Sequence, residues 1–255
     1  MRDLMDDMDA GRDPSEAIRA AQRRALPKRF YKQAEVTPTP DGYGVSLDGR
    51  PLRTPARAVF SVPSRDLAEA VAQEWQAQEI EIDPLRMPLT RLANVAIDGV
   101  AANMAETAEE VVRYAGTDLV CYRAEGPDRL VERQGRHWDP VLDWLRTENG
   151  IRFILSAGIR HVAQPEEALA RLRGLVPDDP FRLAALVSLT TLMGSAVLAL
   201  AVLKGHLSAE EAWAAAHVDE DWNRDQWGED ELAAARRVAR AEEMQAAARL
   251  IRLMG

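Results

Sequence analysis

Cysteine is nearly absent from this 255-residue chain: Cys121 stands alone. One thiol excludes an intrachain disulfide and a thiolate-built zinc cluster. Its neighbours in LVCY are apolar, whereas a nucleophilic thiol needs an electropositive setting, so Cys121 reads as a small buried hydrophobe. Aromatic residues make up only 5%, yet six of them are tryptophan. Basic charge is short as well: the net charge of −9 removes the cationic face that nucleic-acid or anionic-membrane binding requires. The first residues, MRDLMDDMDAGRD, hold no apolar stretch of a secretory signal and are too acidic for a mitochondrial transit peptide. A bacterial cytoplasm is the expected setting.

The signatures of common chemistries are missing too. His137, His161, His206 and His217 show no H-E-x-x-H pair or other close ligand spacing. There is no G-x-S-x-G elbow. The glycines of GVSLDGRP, residues 44 to 51, have phosphate-loop spacing, but Arg50 and Pro51 stand where Lys and Ser or Thr are needed. Gly49 is better explained with Asp48 as a two-residue hairpin turn.

What is present is an apolar run and an acidic one. Residues 183 to 203 form 21 positions without a charge, the length of a membrane span. Ser188, Thr190, Thr191, Gly194 and Ser195 interrupt its hydrophobicity, and the flanks lack a basic anchor or aromatic belt. It is expected to be a helix buried on all sides, not a membrane insertion. Residues 218 to 231, VDEDWNRDQWGEDE, follow closely. Their carboxylates lack the spacing of a calcium loop. They suit a solvated helix end, complementing the positive N-terminus of the next helix. Trp222 and Trp227 add a second possibility, since tryptophan is the residue type that most often anchors interfaces. A metal-assisted hydrolase using the cluster 219–231 is the alternative that carboxylate density alone suggests.

Hydropathy changes character along the chain. Residues 1 to 13 are expected to be disordered, and Pro14 to Ala25 to form a short helix. From Arg29 to Pro63, short segments rich in β-branched and aromatic residues alternate with Pro and Gly, the pattern of a small antiparallel sheet. Ser64 is a good N-cap, and helical periodicity takes over behind it. Helices are expected over SRDLAEAVAQEWQAQ, over residues 89 to 116 with a break near Gly99, and from Asp128 to Asn149, where Asn149-Gly150 is a stop. VCYRA, 120 to 124, is a strand or a buried extended link, and IRFILSAGIRHV a strand pair or an irregular segment. Further helices are expected near 165–175, 181–204, 208–221 and 229–253, with Ser208 and Glu211 as a capping box. The fold class is α+β: a 1–27 extension, a β-rich domain over 28–85 and a larger α-helical domain over 86–255.

Eight blocks in a fixed order resemble the assembly chaperones that escort the alpha subunit of the F-type ATP synthase catalytic head. They are KRFYK (28–32), VSLDGRPLRTPA (45–56), EWQAQ (74–78), PLTRLAN (88–94), TDLVCYRA (117–124), WDPVLDW (138–144), SLTTLMGSAVLALA (188–201) and VDEDWNRDQWGED (218–230). The resemblance implies a β-rich N-terminal domain, a helical C-terminal domain and no known catalytic reaction or cofactor. It implies one partner, the ATP synthase alpha subunit, with no nucleic acid and no small-molecule substrate. The family's mitochondrial members work in the matrix. Its acidic C-terminal block makes Glu220 the favoured partner-binding residue, with Asp219, Asp221, Trp222 and Trp227 as neighbours. Arg91, Asn94 and Asp118, polar within apolar blocks, are expected to form buried hydrogen bonds between the two domains. Trp75, Trp138 and Trp144 are expected in the core.

Overall fold

Strand pairing begins where glycine and β-branched residues cluster. A computed structural model describes residues 26–158 and 160–255; the expected N-terminal disorder and helix lie outside them. Strand β1 (Ala34–Thr39) pairs antiparallel with β2 (Gly42–Leu47), with Val36 opposite Val45. Asp48 and Gly49 both have positive φ, 48° and 79°, and turn β2 into β3 (Arg50–Pro51). That double left-handed turn matches the strand twist, which is why Asp-Gly marks it in the sequence. Bridges Arg53–Val59 and Tyr43–Val62 extend the sheet. Val45, Leu47, Leu52, Phe60 and Val62 are buried. Helix α1 (Arg65–Gln76), capped by Ser64, packs on this sheet and buries Leu67, Ala68 and Val71.

Nine more helices follow among the described residues: α2 (Pro88–Asp98), α3 (Met104–Ala115), α4 (Asp128–Asn149), α5 (Glu166–Arg173), α6 (Pro180–Met193), α7 (Ala196–Leu203), α8 (Ala209–Ala216), α9 (Val218–Trp227) and α10 (Glu231–Leu253). The break at Gly99 and the stop at Gly150, in a left-handed conformation at φ 64°, fall where the sequence places them. VCYRA begins as a 3-10 turn and ends as β4 (Tyr122–Arg123), pairing in parallel with β5 (Ser156–Ala157). The fold is α+β.

The apolar run departs from expectation. It is two helices, not one: α6 ends at Gly194, φ 68°, and Ser195 caps α7. The physical reason is Asp118. Its Oδ1 accepts the Ser195 hydroxyl at 2.6 Å and its Oδ2 accepts the Val197 N–H at 3.0 Å, so the backbone must open to present an α7 N-terminus to it. No described helix is long and apolar enough to cross a membrane. The expected 208–221 helix also divides, at His217, into α8 and α9.

The polar link between the β unit and the helices is not the expected one. Asp118 bonds only within the helical part, and Arg91 pairs with Glu243 on α10 at 3.1 Å. Asn94 is half-buried on α2. The Ala56 N–H donates to Asp98 of α2 at 3.0 Å, and a second link is Glu74 at the end of α1. Its carboxylate accepts the N–H groups of Leu89 and Thr90, each at 2.8 Å, and the Thr90 hydroxyl at 2.7 Å. Helix α2 has no side-chain cap of its own, so Glu74 supplies it from another element. Burial raises the Glu74 pKa against those three bonds.

Trp138 and Trp144 are buried, and Trp75 packs against the core. Trp138 donates its indole N–H to the Ala215 carbonyl at 2.7 Å, closing the end of α8. Cys121 is buried, and burial pushes its thiol up to about 12, leaving it unreactive.

Candidate partner-binding site

The acidic stretch forms α9 and the turn into α10. The Ser208–Glu211 capping box starts α8, whose last turn reaches His217. His217 is buried; its Nδ1 lies 2.8 Å from the Trp213 carbonyl and its ring 3.8 Å from the Trp213 ring. Burial lowers its pKa, helped by Arg237 and Arg240 and opposed by the Trp213 carbonyl and the Glu220 carboxylate. Gly228, φ 87°, ends α9, and Asp230 caps α10 by accepting the Ala233 N–H at 2.8 Å. The first half of α10 packs little: its buried residues all lie from Met244 onward. With α9 it makes a helical hairpin whose α9 arm packs on α4 and whose α10 arm is largely open to solvent over its first half.

The five candidate residues do not share one surface. Asp219 accepts the Gln134 side-chain N–H at 2.8 Å and faces α4. Trp222 lies on that side too, half-buried beside Arg129, Arg133, Arg136 and His137. Asp221 is internal to the hairpin, with its side chain 14% exposed and bonded to Arg237 at 2.5 Å and Arg224 at 3.1 Å. Burial works to raise its pKa, but Arg237, Arg224 and Arg133 together hold it below the ordinary carboxylate range. Its task is to hold α9 against α10.

Glu220 and Trp227 do come together. With Asn223 and Arg224 they follow the i, i+3, i+4, i+7 spacing that places side chains on one helix face. That face lines an open groove of about 460 Å³ whose other wall is Ala233, Ala234, Arg236, Arg237 and Arg240 of α10. His217 forms part of its lining, 3.7 Å from the Glu220 carboxylate. Glu220 is exposed, and Trp227 is 79% exposed. Leu232 and Val238 on α10 are also open, at 66% and 61%. The groove thus offers the carboxylates of Glu220, Glu229 and Asp230, a rim of guanidinium groups and apolar surface. The arginines of α10 were missed in the sequence; their signal is RRVAR, which puts Arg236 and Arg240 one turn apart. The carboxylates proposed for a metal-using hydrolase diverge: Asp219 turns to Gln134, Asp221 to Arg237, and Asp225 to Arg133 at 2.7 Å. Among the described residues no group of three or more His, Cys, Asp or Glu is placed to hold a metal ion.

A small antiparallel sheet leading into a helical body is the scaffold of a family of chaperones. The model of the ATP12 chaperone protein family matches residues 28–146. A crystal structure of Atp12 from Paracoccus denitrificans is 40% identical, with a TM-score of 0.85, covering 90% of this chain and 99% of that one. A crystal structure of an Agrobacterium tumefaciens protein is 45% identical, with a TM-score of 0.88, over 96% of this chain and 93% of its own. The mitochondrial protein atp12 of Schizosaccharomyces pombe is 25% identical over 215 residues, 79% of this chain and 74% of that protein. The chain belongs to the ATP12 chaperone family, whose members serve the assembly of ATP synthase.

Proposed function

We propose that this chain binds the free alpha subunit of ATP synthase, covers its subunit interface, and leaves when the beta subunit docks. The observation that carries the reading is Trp227, held almost fully exposed beside Glu220 at the mouth of the α9/α10 groove. A tryptophan in water forfeits the burial free energy that a partner would recover. Glu220 and the guanidinium rim select partner and orientation, because charges at an interface set register and encounter rate more than affinity.

The physics of the task fits such a surface. Subunits of a closed ring expose large hydrophobic interfaces when free, and exposed interfaces aggregate. A cover must bind less tightly than the rightful neighbour. Release then follows from competition by mass action, without a hydrolysed nucleotide. On this reading the protein is a binding partner and not an enzyme, and its dispersed carboxylates have structural and recognition roles.

Co-purification tests the proposal. The tagged protein is expected to retain alpha expressed alone and to lose it once beta is co-expressed. Retention of neither subunit, or of the completed catalytic head, contradicts the reading.

A further inference from the structure

Most charges around the α9/α10 groove are engaged within the protein. Asp221 takes Arg237 and, at 3.1 Å, Arg224. Arg240 donates to the carbonyl of Leu192 on α6. Asp230 caps α10, and Glu229 lies 3.9 Å from Arg224. Two lining side chains of opposite sign are left over. Glu220 on α9 has only the His217 imidazole within reach, at 3.7 Å, because Arg224, one turn further on, is turned to Asp221. Arg236 on the α10 wall has no hydrogen bond or ion pair to any described residue. Its neighbours three and four positions away are Leu232, Ala233, Ala239 and Arg240, so its own helix offers it no carboxylate either. Glu220 and Arg236 are both exposed.

We infer that Arg236 binds a carboxylate of the client, and that with Glu220 it sets how the client segment lies in the groove. That segment carries an acidic side chain for Arg236, a basic one for Glu220 and an apolar one for Trp227. The chemistry singles out a carboxylate, since a guanidinium presents paired N–H donors that match its two oxygens. A polyanion does not fit: the chain carries a net charge of −9, and Glu220, Glu229 and Asp230 line the same groove. A single acidic side chain meets Arg236 without that repulsion along its whole length. Spare charges of opposite sign on the two walls also give the groove a polarity, and a segment laid in reverse sets like charges against each other. An arginine near an exposed tryptophan has the composition of an interface hot spot. The inference rests on the alpha-subunit reading and names the group of that subunit which the α10 wall reads.

The test uses the full chain with purified alpha subunit. Arg236→Glu is expected to weaken alpha binding by about fivefold or more, with an unchanged melting curve. Arg236→Lys keeps the charge and is expected to keep most of the binding. It also places an amine at the site, in a chain whose other lysines are Lys28, Lys32 and Lys204. A carbodiimide, which joins an amine to a carboxylate in contact with it, is then expected to link position 236 to an aspartate or glutamate of alpha, located by mass spectrometry. The same treatment of Arg50→Lys, at the exposed turn of the sheet, is expected to link nothing at position 50. If wild type binds alpha but Arg236→Glu binds equally well, or position 236 links to no carboxylate of alpha, the inference is overturned and the alpha-subunit reading survives. If wild type does not bind alpha, both fall. If Arg236→Glu melts early, the link at position 236 decides alone. A link from position 236 only to a carboxylate of this chain, or of a second copy, assigns Arg236 to the protein itself and overturns the inference.

Discussion

The Ser195 hydroxyl donates to the carboxylate of Asp118 across 2.6 Å, in the interior of the helical body and 77 residues away along the chain. The same carboxylate accepts the N–H groups of Val120, at 3.2 Å, and of Val197, at 3.0 Å. One side chain thereby closes the N-terminus of α7 and of the 3-10 turn before β4. Asp118→Ala leaves those donors buried without acceptors. The expected cost is about 3 kcal/mol at pH 5, read by urea denaturation. A loss below about 1 kcal/mol contradicts the capping role.

Asp118 also gives stability a pH dependence. Burial raises its pKa to about 6, against the bonds from Ser195, Val197 and Val120. Between its unfolded value of 3.8 and about 6, the folded chain binds a proton that the unfolded chain does not. The stabilising contribution is therefore complete below the unfolded value and is lost as the pH rises through about 6. Asp48, Glu211 and Asp221, with lowered values, act in the opposite sense at lower pH. Subtracting the Asp118→Ala variant cancels them. The stability gap between wild type and variant is expected to narrow by about 2 kcal/mol from pH 4 to pH 7. A constant or widening gap refutes the assignment.

Trp138 is fully buried and donates to Ala215, one of the last carbonyls of α8, which lack partners within the helix. Trp138→Phe keeps an aromatic ring but removes the donor and leaves a void. A loss of about 2 kcal/mol is expected in the unfolding free energy. Trp144→Phe is expected to cost less, because its indole N–H meets Glu148 at a longer 3.2 Å. Equal costs would show that volume, not the bond to Ala215, decides.

Glu220 and Asp221 are adjacent in sequence and separable by experiment. Glu220→Lys reverses an exposed charge at the groove and is expected to weaken client binding tenfold or more, with circular dichroism and melting unchanged. Asp221→Ala removes the group held by Arg237 and Arg224. It is expected to lower the melting temperature as well as the affinity, because the hairpin loosens. Unchanged binding by Glu220→Lys removes that residue from the site.

Local chemistry made much of the fold legible. The Asp48-Gly49 turn, the break at Gly99, the stop at Gly150 and the Ser208–Glu211 box all follow from rules that act over a few residues. The division of the apolar run was hidden because its cause, Asp118, lies in another part of the chain. The capping of α2 by Glu74 was hidden for the same reason. At the candidate site the sequence drew attention to the α9 stretch but not to its orientation. Whether Asp219 faces α4 or the groove depends on how α9 packs, and only the three-dimensional arrangement separates it from Glu220.

The central claim is that this protein covers the alpha subunit until beta replaces it. Light scattering of isolated alpha subunit tests it most directly. An equimolar amount of this protein is predicted to keep alpha dispersed, and added beta to release the protein free while alpha and beta co-elute. Aggregation at the same rate with and without the protein, or a complex that beta fails to displace, would contradict the account.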